Sequence, residues 1–246
     1  GTTLNAGDVL NGGAGTDSMT LSVSGNSGGT LSILGVQATG LENFLVSNFD
    51  TNAAAITVDA TLMTGLAKVG FKASSSTGGL VFDNVGNIVD IELSSGSADF
   101  TLTYTAAAKV GTNVQDVALM NQTAGALSIA GVETVNISST LANNTLADLI
   151  IANASSLNIT GDKNLTITAD TDFADVTSGT AVDGTVDASA FTGNLSMEAN
   201  ANDVIKITGG SGADTFEMKG GFDINDDIDG GAGIDTISMT AVANSA

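Results

Sequence analysis

Short runs in which apolar residues alternate with small or polar ones recur along the whole chain of 246 residues. A period of two is typical of β-strands that bury one face. Glycine, asparagine, aspartate, serine and threonine separate the runs, as turns require. The predicted strands are residues 41–47, 54–60, 79–84, 88–94, 99–105, 114–120, 126–131, 133–138, 147–153, 156–161, 164–170, 184–189, 194–199 and 203–209.

Helical patterns are nearly absent from the sequence. Residues 61–70 are the best helical candidate, and they predict one turn at most. Two segments, 31–48 and 127–139, repeat each other loosely. Each contains a strand, a glycine corner and the phrase G-[LV]-E-x-[FV]. Self-similarity of this kind indicates β coils stacked on one another.

The amount of aromatic and proline residues favours one all-β architecture over another. Aromatic residues make up only 4% of the chain and proline is absent. A β-sandwich core relies on large aromatic side chains, whereas a solenoid can stack Val, Ile, Leu and Thr around a narrow core. We therefore predict an all-β parallel β-helix or β-solenoid, with a sandwich as the alternative. Coils of about 20 residues would give roughly twelve coils.

The composition also restricts the chemistry of the chain. The net charge is −21, the six basic residues are all lysines, and His and Cys are absent. An excess of carboxylates opposes binding to nucleic acid phosphates. Without His or Cys, the usual zinc, haem and iron–sulfur ligands and the serine–histidine or cysteine–histidine catalytic pairs are excluded. The remaining metal ligands are carboxylate and carbonyl oxygens, which suit calcium or magnesium.

Three segments match the nonapeptide G-G-x-G-x-D-x-U-x, in which U is a large apolar residue. They are residues 12–20, 209–217 and 230–238, with aspartates at Asp17, Asp214 and Asp235. Reading the nine-residue frame backwards places Asp8 and Asp226 at the aspartate position. Glycine allows a turn to adopt positive φ and to bring its carbonyls together, and the aspartate adds a carboxylate.

The nonapeptides predict calcium sites, since calcium accepts six to eight oxygens in irregular geometry and magnesium does not. We expect one site between the turns at 210–214 and 231–235, and a second beside it that uses Asp226. The Asp17 turn has no obvious aspartate partner two nonapeptides further on. The alternative is that these are Asp-Gly turns that bind nothing. The predicted ligands are Asp8, Gly13, Gly15, Asp17, Gly210, Gly212, Asp214, Asp226, Gly231, Gly233 and Asp235.

Two other groups of residues suggest alternatives to this interpretation. The first is an acidic stretch that could hold a further calcium ion, although a solvated loop is favoured because it lacks glycines. It comprises Asp170, Asp172, Asp175, Asp183 and Asp187. The second group would suit a polysaccharide lyase, and it comprises Tyr104, Lys109, Asp99 and Asp116. Lyases need a base and charge neutralisation, and without Arg or His we predict that the chain is not an enzyme.

The nonapeptides resemble RTX repeats of proteins exported by type I secretion. The phrases IAGVETVNISST, ADLIIANASSLNITGDKNLTIT, VDASAFTGNLSM and VIKITGGSGADTF closely resemble the lattice-forming C-terminal region of Caulobacter-type surface-layer (S-layer) proteins. Residues 127–238 carry most of this resemblance, and residues 7–22 and 31–48 also fit the family. Between residues 54 and 122 the resemblance is only compositional.

The resemblance implies a protein that is exported unfolded, folds on meeting external calcium, and assembles into a porous two-dimensional sheet at the cell surface. Calcium would join neighbouring copies, with no insertion into the membrane, and a region outside this chain would anchor it to lipopolysaccharide. We expect the chain to be a fragment. Its expected segments are a partial RTX turn (1–22), a β-solenoid (23–202) and an RTX calcium-binding β-roll (203–246). The alternative is a calcium-stiffened solenoid module of a large type I-secreted RTX adhesin.

Overall fold

The chain winds into a stack of short parallel strands. A computed structural model describes residues 4–25, 28–75, 77–173, 182–199, 204–219, 222 and 224–239. The strands are β1 (Val9–Asn11), β2 (Ser18–Gly25), β3 (Leu31–Ile33), β4 (Gln37–Thr39), β5 (Asn43–Asp50), β6 (Ile56–Asp59), β7 (Met63–Thr64), β8 (Lys68–Ser74), β9 (Leu80–Val85), β10 (Asp90–Gly96), β11 (Phe100–Tyr104), β12 (Val114–Gln122), β13 (Ala126–Ile129), β14 (Thr134–Thr140), β15 (Asn144–Leu146), β16 (Asp148–Ile150), β17 (Ser156–Gly161), β18 (Leu165–Asp172), β19 (Gly184–Asp187), β20 (Leu195–Ala199), β21 (Ile205–Thr208), β22 (Thr215–Met218), β23 (Asp227–Asp229) and β24 (Thr236–Met239).

Two long sheets run the length of this stack. The ten-stranded sheet has the order β2-β5-β8-β10-β12-β14-β17-β19-β21-β23. The eleven-stranded sheet has the order β3-β6-β9-β11-β13-β16-β18-β20-β22-β24, and β15 also pairs with β18 in it. A three-stranded sheet, β1-β4-β7, adds a third face to the first turns. Neighbouring strands are parallel, for example in β12–β14 and β20–β22, which confirms the predicted parallel β-solenoid.

The number of turns was overestimated from the sequence. The described residues form about nine turns, which gives a stack about 43 Å long at the usual strand spacing. In the ten-stranded sheet, one turn takes as few as 20 residues, from Val114 to Thr134, and as many as 29, from Ser156 to Thr185. There are fewer turns than expected because the corners between strands are longer. The alternation of residues within a strand does not indicate how long the following corner is.

The alternation of apolar and polar residues predicted the strands well, because parallel pairing in register places the inward residues of one turn on the inward residues of the next. Each of the fourteen predicted strands overlaps an observed one. In β14, Val135 and Ile137 point inward and pair with Leu157 and Ile159 of β17, so like residues stack on one another through the core. The core is less aliphatic than expected, because most of the few phenylalanines lie in it. Fully buried phenylalanines are Phe44, Phe71, Phe82, Phe100, Phe191 and Phe216.

The predicted helical turn at residues 61–70 is wrong, because this segment forms a corner and parts of two strands. Met63 lies in β7, Leu66 in the corner and Val69 in β8, and all three are buried. Their spacing of three residues resembles that of a helix, but Met63 and Val69 enter the core from strands of two different sheets and Leu66 enters it from the corner between them. No helix occurs among the described residues, so none there has the length and hydropathy of a membrane span.

Candidate metal centres at the corners of the solenoid

Acidic residues concentrate at two corners of the solenoid. We name the positions immediately before strands of the ten-stranded sheet the first corner, and those before strands of the eleven-stranded sheet the second corner. The first-corner acids are Asp17, Glu42, Glu133, Asp183 and Asp226. The second-corner acids are Asp99, Asp214 and Asp235. Because a solenoid stacks equivalent corners, residues of one corner on adjacent turns become neighbours.

The two C-terminal nonapeptide turns stack on each other at the second corner, as their spacing predicts. The Ala232 N–H donates to the Gly210 carbonyl (2.9 Å), and the Thr236 N–H donates to the Asp214 carbonyl (2.8 Å). The contact is so close that a Cβ on Gly233 would lie 2.0 Å from the Gly212 carbonyl oxygen. Only glycine allows two turns to approach at this distance.

The middle nonapeptide differs from the other copies in its backbone. Gly231 has the expected positive φ of 83°, whereas neither Gly210 nor Gly212 has a positive φ. The expectation of left-handed glycines is therefore wrong for this copy. Close packing explains its glycines instead, because a Cβ on either would lie 2.3 Å from a carbonyl oxygen of the preceding turn, that of Phe191 or that of Gly193.

Asp214 is the most buried carboxylate of the predicted sites, with an exposed fraction of 1%. Its Oδ1 accepts the Leu195 N–H (2.7 Å) and its Oδ2 accepts the Gly210 N–H (2.8 Å). Asp235 Oδ1 accepts the Asp214 N–H (2.9 Å), which links the two turns. Within the part of the chain that the structure describes, no lysine forms an ion pair with Asp214. The structure therefore brings Asp214 and Asp235 together, and each carboxylate stabilises the stacked turns by accepting backbone N–H groups; we call such a residue a brace.

Asparagines occupy the same region of the second corner in earlier turns. Asn164 accepts the Asn194 N–H through its Oδ1 (3.0 Å), and Asn194 accepts the Ala213 N–H in the same way (3.0 Å). A side-chain oxygen thus links one turn to the next with or without a negative charge. A single link between turns therefore does not require aspartate, so Asp235 needs a further explanation. Asp214 differs, because its second oxygen also accepts the Gly210 N–H, which a carboxamide nitrogen could not do.

Asp226 lies at the first corner, on the other side of β23 from Asp235. Its Oδ1 accepts the Ile205 N–H (2.9 Å). The structure does not bring Asp226 beside Asp214 and Asp235 as the sequence predicted, because the three residues of β23 separate the two corners. The nine-residue frame places aspartates at both corners, but it does not distinguish one corner from the other.

The Asp17 turn does have an acidic partner, and it is Glu42, 25 residues further along the chain. The Asp17 N–H donates to Glu42 Oε2 (2.7 Å), and the Glu42 N–H donates to the Asp17 carbonyl (3.2 Å). Gly12 lies directly against the Gly40 carbonyl. Sequence reasoning missed Glu42 because it searched for an aspartate two nonapeptides on. The signal was present in the repeated phrase G-[LV]-E-x-[FV], whose second copy positions Glu133 to accept the Asn113 N–H (2.6 Å).

One oxygen of Asp17 is buried without a hydrogen bond. Three buried side-chain oxygens of the described residues lack a partner: Asp17 Oδ2, Gln122 Oε1 and Thr171 Oγ1. Only that of Asp17 belongs to a carboxylate. A buried, unpaired carboxylate oxygen is costly to leave without a partner, and a bound cation would remove that cost. The Asp17–Glu42 pair therefore fits a hard cation.

The remaining predicted ligand near the N-terminus, Asp8, has a local role. Its Oδ2 accepts the Asn5 N–H (2.7 Å), and its carbonyl accepts the Gln37 N–H (2.9 Å). It closes the turn before β1, whereas Asp17 follows β1. The structure does not place Asp8 beside Asp17.

Carboxylates alone would not complete a metal site in this solenoid. Among the described residues, no three or more acidic side chains lie close enough together to hold a metal ion. A cation at either corner would take most of its ligands from backbone carbonyls and water, with one or two carboxylates. Calcium accepts such a mixed set of oxygens, including carbonyls, at irregular geometry.

Among the side chains that the structure describes, the acidic stretch from Asp170 to Asp187 does not form one site; Asp175 and the side chain of Asp170 lie outside them. Asp183 Oδ2 accepts the Val204 N–H (2.7 Å) at the first corner. Asp187 lies at the far end of β19, where hydrogen bonds from Ser189 hold the pKa of its carboxyl below the usual value. Asp187 therefore closes its own turn, whereas Asp183 links two successive turns of the stack.

The residues that would suit a lyase are also dispersed. Tyr104 is buried, and its hydroxyl donates to Gln115. Asp116 lies on the outer face of the ten-stranded sheet, where it accepts the side-chain amide of Asn136 (2.7 Å). Asp99 accepts the Ala126 N–H (2.8 Å) at the second corner.

A further acidic group lies in a shallow depression on the eleven-stranded sheet, lined by Asp148, Asp172, Glu198 and Lys219. Lys219 Nζ lies 2.6 Å from Glu198 Oε1. Burial raises the pKa of Asp148, and the charges of Asp172 and Asp99 raise it further, against a backbone hydrogen bond from Leu149 that lowers it. The depression therefore contains more negative charge than its lysine offsets.

Replacing Asp148 with asparagine is expected to stabilise the protein at neutral pH by up to about 0.5 kcal/mol. The folded-state pKa is raised, so ionised Asp148 opposes folding, and this penalty disappears as the pH falls and the carboxyl is protonated. Thermal melting at neutral and acidic pH measures the difference. The control is Asp187→Asn, whose folded-state pKa is lowered and which should lose stability at neutral pH. An equal effect of both substitutions would contradict this electrostatic explanation.

No family model, curated protein or solved structure matches this chain.

Proposed function

We propose that this chain is a structural part of an S-layer, which forms a calcium-dependent two-dimensional lattice on the bacterial cell surface. Three features support the proposal. The chain is a parallel solenoid, glycine–aspartate turns occur near both of its ends, and its phrases resemble those of lattice-forming proteins. A stack of parallel strands is a stiff unit, since each turn is fixed by hydrogen bonds to two neighbours.

The observation that carries the calcium part of the proposal is the buried Asp17 Oδ2 without a hydrogen-bond partner. Asp17 and Glu42 would hold a calcium ion at the first corner, and Asp214 and Asp235 would hold one at the second. Calcium would neutralise carboxylates in a chain of net charge −21, whose compact form otherwise repels itself.

The lattice part of the proposal rests on the sequence resemblance. The protein would reach the cell surface by type I secretion, its partners would be copies of itself joined laterally through calcium, and a region outside this chain would anchor it to lipopolysaccharide. It would have no catalytic activity and would bind neither nucleic acid nor the membrane interior.

Calcium is expected to raise the melting temperature, and a chelator such as EGTA is expected to reverse the increase. At tenfold excess over Kd, one site contributes about 1.4 kcal/mol, or about 3–5 °C for a chain of this size. Differential scanning calorimetry measures the shift, and magnesium at equal concentration is the control. A melting temperature that responds to neither calcium nor EGTA would sink the calcium proposal.

A matched pair of variants locates the first-corner site. Glu42 and Glu133 each accept one backbone N–H from the preceding turn (2.7 and 2.6 Å), but only Glu42 adjoins a nonapeptide turn. Glu42→Gln and Glu133→Gln should both lose about 1 kcal/mol of stability, since a neutral acceptor replaces a charged one. Only Glu42→Gln should also reduce the calcium-dependent increase. A full calcium response in Glu42→Gln would remove Glu42 from the site.

Electron microscopy tests the lattice part separately from calcium binding. The full-length protein with millimolar calcium should form ordered sheets that disperse in EGTA. A monodisperse monomer that still melts higher with calcium would overturn the lattice function and favour the adhesin-module alternative.

A further inference from the structure

Two seven-residue turns near opposite ends of the chain are almost identical. They read NGGAGTD at residues 11–17 and DGGAGID at 229–235. In the first, Asn11 Oδ1 accepts the Gly13 N–H (3.0 Å), and in the second, Asp229 Oδ1 accepts the Gly231 N–H (3.0 Å). The positions correspond in bond and distance, but one side chain is an amide and the other an acid.

Asn11 is the only asparagine in the chain that a glycine follows. Glycine has no side chain to shield its backbone nitrogen, so an Asn-Gly pair is the most open to attack of that nitrogen on the asparagine side chain. Asn11 is exposed to water. Its side-chain oxygen accepts the Gly13 N–H, so this hydrogen bond closes a ring that contains Gly12, the residue whose nitrogen would attack the carboxamide.

We propose that Asn11 is a site of spontaneous deamidation and that the turn is already shaped for the aspartate product. The Gly12 backbone nitrogen, on losing its proton, bonds to Asn11 Cγ, and the Cγ–Nδ2 bond breaks to release ammonia. Water then opens the cyclic imide, at one carbonyl to give aspartate or at the other to give isoaspartate. No oxidant, cofactor or enzyme is needed.

A backbone hydrogen bond controls the rate of this reaction. The Gly12 N–H donates to the Thr39 carbonyl (3.0 Å), so the nitrogen becomes free only when this end of β1 opens. β1 has three residues and pairs with β4 alone among the described strands. Short strands at the edge of a stack open at low cost in free energy.

The fold accommodates the two products differently. Isoaspartate inserts an additional methylene into the backbone before Gly12, which displaces the Gly12 N–H from the Thr39 carbonyl. Aspartate leaves the backbone unchanged and accepts the Gly13 N–H as Asp229 accepts the Gly231 N–H. Deamidation therefore gives the Asp17 turn the same two carboxylates as the Asp235 turn. This inference does not depend on the proposed function.

Peptide mapping by mass spectrometry tests the proposal on the purified, folded protein held in mildly alkaline buffer. Asn11 should lose its amide before any other asparagine, and the protein should gain one negative charge on ion exchange. Asn87 is the internal comparator, because it is exposed but is followed by isoleucine. An Asn11 that remains an amide while Asn87 converts, or while an unfolded peptide of the same sequence converts, overturns the proposal.

Two variants separate the chemistry from the fit of the product. Asn11→Gln should abolish the new acidic species, since a longer side chain cyclises poorly. Asn11→Asp should melt within about 0.5 kcal/mol of the starting protein, as exposed substitutions usually do. A larger loss in Asn11→Asp would show that the turn is not shaped for aspartate and would overturn that part of the proposal.

Discussion

Replacing Gly233 with alanine is expected to destabilise the last described turn of the solenoid by about 2–5 kcal/mol. Two costs add. The φ of Gly233 is 129°, a conformation that side chains rarely adopt, and the new Cβ would lie 2.0 Å from the Gly212 carbonyl oxygen. That oxygen belongs to the backbone, so relief requires the two stacked turns to separate.

Gly15 provides the matched control, since it is the same glycine in the N-terminal nonapeptide. Its φ is 117°, but nothing described lies within 4 Å of the position of its Cβ. Gly15→Ala should therefore lose only the stability that the strained backbone conformation costs, about 1–3 kcal/mol. Thermal melting gives the totals. Amide hydrogen exchange in β22 to β24 shows the local loss, because a solenoid can open at one end while its other turns persist. Equal losses of stability in Gly233→Ala and Gly15→Ala would show that the close stacking of turns is not the reason that position 233 requires glycine.

The fold was predictable from the sequence because inward and outward positions alternate in a solenoid as in any half-buried strand. Val135 and Ile137 stack on Leu157 and Ile159 whether or not the intervening corner is known. The corners were not predictable, because their length does not affect this alternation. The error in the number of turns therefore came from the corners, and not from the strands.

The candidate site was predicted where the nonapeptide spacing and the length of a turn agree. Asp214 and Asp235 are 21 residues apart and share the second corner. Prediction failed at Asp17, whose neighbour in the stack is 25 residues away and is a glutamate. A glutamate reaches the same N–H from a different backbone position, so a search restricted to aspartate could not find it.

Asp214→Asn is expected to cost about 2–3 kcal/mol of stability. Both oxygens of Asp214 accept backbone N–H groups in a buried turn, from Leu195 and from Gly210. Asparagine keeps one acceptor, but its amide nitrogen would face the second N–H and leave that donor without a partner. The control is Asp227→Asn on the adjacent turn, where the exposed carboxylate only pairs with Lys206 (3.2 Å) and the loss should stay below about 1 kcal/mol.

Comparing the stability of Asp214→Asn with and without calcium distinguishes two possible roles of Asp214. If it is only a brace, as Asn194 is one turn earlier, the cost of Asp214→Asn will be the same with calcium and with EGTA. If Asp214 also binds calcium, the cost will increase by the binding free energy, about 1.4 kcal/mol at tenfold excess. Calorimetry of Asp214→Asn under both conditions separates these outcomes. The hydrogen bonds of Asp214 do not need metal, so Asp214→Asn should be less stable than the starting protein in EGTA as well. Only the difference between the calcium responses of the two proteins shows whether the carboxylate binds the ion.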